Sequence, residues 1–240
     1  MRIAVFSDIH GNIEAFRQVL KDIDSRNVQA CYFLGDAISY GPEPELCVRL
    51  LHDKDIPCVL GNHELALIQP GVKNYFNDPT REHFDHAVKL LSKYSSEYIS
   101  TWPRVRKEHD MLLVHGCPPD SVTRYLFDTD EKKLLRIMAD VKQSMVFVGH
   151  THELEMISCT PSEIMRKRIS PGPHELKEEK TLVNVGSVGQ PRDGDNRAKY
   201  VIWDQSEQTI EVFFVEYDIE KTIQGIYDRG FPEYFALRLR

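Results

Sequence analysis

Residues 144–156 read SMVFVGHTHELEM. Four apolar residues, Met145 to Val148, have the length and composition of a buried strand. The run stops at Gly149, and His150 and His152 follow at once. A strand that ends in a glycine turn with imidazoles at i and i+2 puts both where polar partners must be found. A ligand held by both is the simplest partner.

The same event recurs along the chain. "IAVFSDIHGN" ends in Asp8 and His10, "ACYFLGD" in Asp36, "IPCVLGNHE" in Asn62 and His63, and "MLLVHG" in His115. A further run, "TLVNVGSVGQ", ends in glycines. Between the first runs, Ile13, Phe16, Leu20 and Ile23 mark one helix face, and "PEPELCVRLLH" predicts a second helix with proline at its start. Continuous apolar strands alternating with helices predict a sheet covered on both faces, with ligands outside the carboxyl ends of its strands. Residues 80–102 predict one or two inserted helices. "AKYVIWD" and "TIEVFFVEYD", joined at Asp204–Glu207, predict a hairpin, expected to found a second sheet packed on the first. "DIEKTIQGIYDRG" predicts a closing helix with Gly230 at its C-cap. Residues 170–180, rich in proline and charge, predict a flexible loop.

Composition bounds the reading. A chain of 240 residues, 41% hydrophobic, can fill one large α/β domain or two small ones. A net charge of −7 without any block of Lys or Arg weighs against long duplex nucleic acid and against anionic membrane surfaces. The start "MRIAVFSDIHGN" has too short an apolar run for a signal peptide, and no stretch approaches the ~18 apolar residues of a membrane span. Five scattered cysteines without a CxxC pair predict buried, reduced thiols and a cytoplasmic protein.

Asp8, His10, Asp36, Asn62, His115, His150 and His152 offer carboxylate, imidazole and carboxamide donors, with no thiolate among them. Such a set suits Mn, Fe, Zn, Ni or Co better than Ca. It is too large for one tetrahedral ion and fits two ions sharing a carboxylate. Two ions about 3.5–4 Å apart clamp an in-line displacement at phosphorus. Each short motif alone is weak, since "GD" after a strand is usually a turn. Their joint occurrence, each at a strand end, carries the reading.

"DIHGN", "LGDAISYGP", "LGNHE", "VHG" and "GHTH", spread over residues 8–152, resemble the five-block signature of the calcineurin-like metallophosphoesterases. "NVGSVGQPRDGDNRAKYVIWD" resembles the tail of their small prokaryotic phosphodiesterase branch. The resemblance implies an α/β fold, a four-layer α/β/β/α sandwich, as a single domain over 1–240 with a helical insertion at about 70–103. It implies that Asp8, His10 and His152 hold one ion, that Asn62, His115 and His150 hold the other, and that Asp36 bridges. His63 would be catalytic, facing the substrate and giving a proton or hydrogen bond to the leaving group or a phosphoryl oxygen. Two divalent or trivalent ions are expected, Mn or Fe first, with Zn, Ni or Co as alternatives. The expected reaction is attack on phosphorus by a hydroxide bridging the ions.

The sequence also departs from parts of that family. Its protein Ser/Thr phosphatases and dinucleoside-tetraphosphate hydrolases carry a phosphate-gripping arginine after the second block, and "GDAISYGPEPE" has none. The expected substrate is therefore a small phosphodiester or nucleotide-type ester. Phosphomonoesterase and protein phosphatase activity are the alternatives. A non-catalytic scaffold, like the retromer coat subunit of this fold, is disfavoured because every ligand position is kept. Arg192 in "GQPRDGDNR" is a candidate to replace the missing arginine; the competing reading is a turn whose arginines pair with Asp193 or Asp195. Tyr40 and Asn12, beside the metal blocks, are further candidates for substrate contact. His52, His109 and His174 are expected in solvent, and His83 and His86 at surface or capping positions. Nothing in the sequence sets the oligomeric state.

Overall fold

The computed structural model describes residues 1–177 and 180–240. Its elements, in chain order, are β1 (Arg2–Phe6), α1 (Ile13–Asp24), β2 (Ala30–Phe33), α2 (Pro44–Asp53), α3 (Asn62–Ile68), α4 (Asp78–Val88), α5 (Lys93–Ser100), β3 (Val105–Glu108), β4 (Met111–Val114), α6 (Glu131–Asp140), β5 (Met145–Val148), β6 (Leu154–Cys159), β7 (Ile164–Arg168), β8 (Gly172–Glu175), β9 (Lys180–Val185), β10 (Ala198–Asp204), β11 (Thr209–Val215), α7 (Ile219–Asp228) and α8 (Glu233–Leu237). Two 3-10 turns, Pro70–Tyr75 and Leu126–Asp128, lie among them.

The period-2 geometry of strands explains the layering. In β1, Ala4 and Phe6 join a core shared with α1, α2 and α3, while Ile3 and Val5 join a different core. In β5, Met145 and Phe147 enter that second core, while Val146 and Val148 pack with Leu134 and Met138 of α6. Strands with two apolar faces thus divide the interior into helix–sheet, sheet–sheet and sheet–helix layers, the expected α/β/β/α sandwich. Phe147, fully buried between the sheets, fills a position whose truncation to alanine costs about 3–5 kcal/mol.

One sheet has the order β2-β1-β10-β11-β8 and the other β3-β4-β5-β9-β6-β7. The pairs β1–β2, β4–β5 and β5–β9 are parallel. The carboxyl ends of β1, β2, β4 and β5 carry the polar motifs.

Several expectations need correction. The hairpin β10–β11 does not found the second sheet; β10 pairs antiparallel with β1 at the centre of the first. The reason is visible in β10, whose seven residues are all buried. Tyr200 and Ile202 face the helices, and Val201 and Trp203 face the other sheet. "IPCVL" is reduced to a single bridge, Phe33 to Cys58. Within the expected loop 170–180, residues Gly172–Glu175 form an edge strand against β11; residues 178 and 179 lie outside the described residues. A short helix, α8, follows the one expected to close the chain.

Other readings hold. Ile13, Phe16, Leu20 and Ile23 are the buried face of α1, and Pro44 opens α2. The helices expected within 80–102 are α4 and α5. Gly230, with φ +66°, follows the end of α7. Cys31, Cys47, Cys58 and Cys117 are free thiols. Burial raises the Cys47 and Cys58 thiols well above the usual range and Cys31 to about 12, so these three remain unreactive thiols.

Candidate functional site

The strand ends of both sheets meet at one rim. Asp8 and His10 follow β1, Asp36 follows β2, His115 follows β4, and His150 and His152 follow β5. Asn62 and His63 open α3 beside them. All eight side chains are buried.

The backbone there is strained. Asp8, His10, Asp36, His150 and His152 all have left-handed φ angles, between +47° and +69°. That region costs a non-glycine residue about 1 kcal/mol or more, and such residues gather at functional sites. The glycines of "LGNHE" and "VGH" serve close packing. A Cβ on Gly61 would lie 2.0 Å from Asp36 Oδ1, and one on Gly149 would lie 2.6 Å from Asp8 Oδ2. The carboxylates occupy the space that a side chain would take.

Backbone carbonyls set the imidazole tautomers. Nδ1 of His10 faces Ile38 O at 3.1 Å, and Nδ1 of His152 faces Gln190 O at 2.6 Å. Both nitrogens must donate, which leaves each Nε2 as a bare acceptor. These two acceptors face each other at 3.2 Å. Likewise, His115 Nδ1 donates to Leu34 O at 2.8 Å and His150 Nε2 to Thr123 O at 3.2 Å. That leaves His115 Nε2 and His150 Nδ1 facing each other at 3.2 Å, with Asn62 Oδ1 3.1 Å from His115 Nε2.

Two carboxylates complete the pattern. Asp8 Oδ2 accepts the His150 N–H at 3.1 Å, and Asp36 Oδ1 accepts the His63 N–H at 3.0 Å. The other oxygen of each is aimed inward. Asp8 Oδ1 is buried without a hydrogen-bond partner and lies 3.4 Å from His152 Nε2. Asp36 Oδ2 lies 3.3 Å from His115 Nε2 and 3.7 Å from His10 Nε2, between the two imidazole pairs.

Lone pairs converging this closely repel unless a cation sits among them. The donor set, its orientation by carbonyls and the orphaned carboxylate oxygen therefore fit bound metal. Three groups could each hold an ion: Asp8, His10 and His152; Asp36, His115 and His150; and His10, Asp36 and His63. Electrostatics agree. Burial drives His10 and His152 well below the usual imidazole range and His150 to about 3, so all three are neutral. Burial also opposes charge on His115, but Asp36 and Asp8 outweigh it and push it up to about 9. Burial, with the charge of Asp36, raises Asp8 to about 7. In the absence of metal, protons take the place of the cation.

His63 stacks on Phe76 at 4.6 Å, and its Nδ1 is buried without a partner. It lines a cavity of about 70 Å³ with Tyr40, Asn62, Tyr75, Tyr125 and His150. Wider grooves of about 570 and 490 Å³ lie elsewhere and contain none of the eight rim residues.

Most of the chain decides the family. The model of the calcineurin-like phosphoesterase superfamily domain matches residues 1–208. The chain belongs to the calcineurin-like phosphoesterase superfamily. It is 33% identical over 243 residues to the uncharacterized protein MJ0912 of Methanocaldococcus jannaschii, covering 99% of this chain and 96% of that one. Its structure is similar to that of a metallophosphoesterase from Sphaerobacter thermophilus, with 30% identity, TM-score 0.86, and 100% and 98% of the two chains covered. The hypothetical protein PH1004 of Pyrococcus horikoshii shares the fold at 18% identity, TM-score 0.81, with 99% and 97% covered. Membership supports a hydrolase. No helix among the described residues is long and apolar enough to cross a membrane.

The remaining candidates of this phosphoesterase divide. Tyr40 lies over His10 at 4.4 Å and edge-on to His63 at 5.0 Å. Arg192 donates through its backbone to His152 O and through Nη2 to Gln190 Oε1, and its Nε is buried without a partner. The competing reading for this loop holds only in part: Arg197 pairs with Asp195, but Asp193 pairs with Lys199. Asn12 lines a small cavity with His10 and Tyr40, but its amide is already used. Its amide caps α1 at Ala15, donates to Gly189 O and accepts from Thr222, so it is committed to the fold.

His83, expected at a surface or capping position, is not at the surface. It is buried and its Nε2 accepts the Tyr40 N–H at 3.0 Å, which holds the left-handed Tyr40 in place.

Sequence reasoning missed Glu64 and Tyr125. The Glu64 carboxylate accepts the N–H groups of Asp36, Ala37 and Gly61 at 2.7–2.9 Å. Its signal was present as the last letter of "GNHE", at the third position of α3. Tyr125 stacks on His150 at 3.9 Å, and no motif marks it.

Proposed function

We propose that this protein hydrolyses a small phosphodiester or nucleotide-type phosphate ester with two metal ions at the rim. The observation that carries the reading is the convergence of bare imidazole nitrogens and carboxylate oxygens in two sets that share Asp36. Asp8, His10 and His152 would hold one ion, and Asn62, His115 and His150 the other. When bound, two such ions would supply hydroxide from water near neutral pH and neutralise phosphoryl charge. Mn or Fe suits the donors, with Zn, Ni and Co as alternatives.

The chain's own residues do the rest. His63 is driven down to about 4, first by burial, so it meets the substrate as a neutral imidazole. A neutral ring still carries one N–H, so it can donate a hydrogen bond to the leaving oxygen or to a phosphoryl oxygen as negative charge builds there. Arg192 presents a guanidinium with an unspent donor, suited to bind phosphoryl oxygens. Tyr40 packs over His10 and closes one side of the cavity. The full set of donors favours catalysis over a scaffold role.

The test is hydrolysis of bis(p-nitrophenyl) phosphate with added Mn²⁺, together with metal analysis. Turnover that needs the metal is expected. Asp36→Asn should lose both ions and His152→Ala chiefly one. Two-metal occupancy with wild-type turnover in Asp36→Asn would sink the bridging role. Hydrolysis of monoesters alone would move the assignment to a phosphomonoesterase.

A further inference from the structure

Two sets of aromatic rings include or adjoin residues that line the cavity. In one set His150, Tyr125 and Phe127 form a ladder of near-parallel rings, with centroids 3.9 Å apart at 10° and then 4.8 Å apart at 11°. Phe127, the outermost ring, is 66% exposed, although it follows the buried Leu126 in a tight 3-10 turn. In the other set Phe76 stacks on His63, and its neighbour Tyr75 is 84% exposed. Tyr75 and Tyr125 line the same cavity as His63 and His150. The fold buries neither Tyr75 nor Phe127. Each is carried on a short turn beside a ring that touches a histidine of the site.

A phosphoryl group has no use for flat apolar faces. The cavity, at about 70 Å³, is far below the ~300–1,000 Å³ that encloses a whole organic ligand. The phosphate can sit inside while the group attached to it lies outside, against the exposed rings. We propose that Phe127 and Tyr75 form a stacking subsite for a nucleobase, so that the substrate is a short nucleotide ester. This rests on the phosphoesterase reading above and narrows its substrate class. The net charge of −7 disfavours a long polyanionic strand.

The experiment measures binding by calorimetry to protein supplied with Mn²⁺, using AMP, ribose 5-phosphate and methyl phosphate as probes. Stacking of one base on an aromatic side chain is equivalent to about 5- to 150-fold in affinity. AMP should exceed ribose 5-phosphate by that margin. Phe127→Ala and Tyr75→Ala should each reduce the ratio, and Phe127→Trp should keep it. Equal affinity for AMP and ribose 5-phosphate, or a ratio untouched by both alanine substitutions, would overturn the subsite. The two readings fail separately. Base-dependent binding without any phosphodiester hydrolysis would remove the hydrolytic assignment and leave the subsite. Hydrolysis without base-dependent binding would do the reverse.

Discussion

His63 and Arg192 have different work. His63 Nε2 is 3.9 Å from Asp36 Oδ2, so its ring could be taken for a ligand. Its unpartnered Nδ1 and its place in the cavity wall favour the substrate instead. His63→Ala should keep both metals and lose about 10²–10⁴-fold in rate, the scale of general acid–base assistance. The loss should shrink for esters with good leaving groups, whose departing oxygen needs less stabilisation; an equal loss on all leaving groups, or loss of metal, would contradict the assignment. Arg192→Ala should lower kcat/KM by about 10- to 150-fold, corresponding to a charge-assisted contact of about 1.5–3 kcal/mol. Arg192→Lys should recover only part, because the bidentate geometry is gone. Kinetics with metal analysis decide it, and unchanged kcat/KM in Arg192→Ala would return the loop to a structural role.

At the scale of elements, the first turn of α3 positions the end of β2. Glu64 bonds to the N–H groups of Asp36 and Ala37 from the helix while also accepting from Gly61 at the helix start. Burial and the nearby Asp36 raise its pKa to about 7 against the pull of these donors, yet every hydrogen bond at the carboxylate is donated to it. Glu64→Gln would turn an NH₂ group toward backbone N–H groups. It should destabilise the fold by at least about 2 kcal/mol, since hydrogen bonds to charged groups contribute about 1.5–3 kcal/mol each. It should also weaken metal binding, because Asp36 loses its anchor. Denaturant unfolding and metal analysis of this variant check both effects, and wild-type values for both would show that Glu64 positions nothing.

At the scale of the whole molecule, the rim joins the two sheets. Asp8, His10 and Asp36 come from one, and His115, His150 and His152 from the other. Bound metal should therefore stabilise the native state over the unfolded chain, by about 2.7 kcal/mol at 100 times Kd. For a chain of this size that raises Tm by roughly 5–10 °C, and chelation should reverse it. The effect depends on pH with a definite sign. His115, at about 9, and Asp8, at about 7, hold protons that metal must displace, so binding weakens as pH falls. Without metal, the raised pKa of His115 contributes stability that is complete below about pH 6.5 and lost as pH climbs through 9. Both trends make the metal-induced rise in Tm larger at pH 8 than at pH 6. Thermal melts with Mn²⁺ and with chelator at the two values test it, and a rise that is equal or larger at pH 6 would contradict the protonation scheme.

The apolar runs, their polar endings and the glycines before them were legible in the sequence because each is a local pattern. Strand length, the turn and the donor chemistry lie within ten residues of one another, as in "MVFVGHTH". The same holds for the helix face at Ile13, Phe16, Leu20 and Ile23. Sheet membership was not legible. β10 carries apolar residues on both faces, and a pattern of that kind does not say which neighbour it will meet; only its pairing with β1 does. The same limit hid His83, whose helical spacing does not disclose that Phe231 and Phe235, about 150 residues away, cover its ring. It hid Tyr125, which meets His150 across 25 positions, and it gave Asn12 a freedom that Thr222 removes. Donor chemistry is a property of residues and their near neighbours. The partners that spend those donors or leave them free are chosen only when distant segments pack.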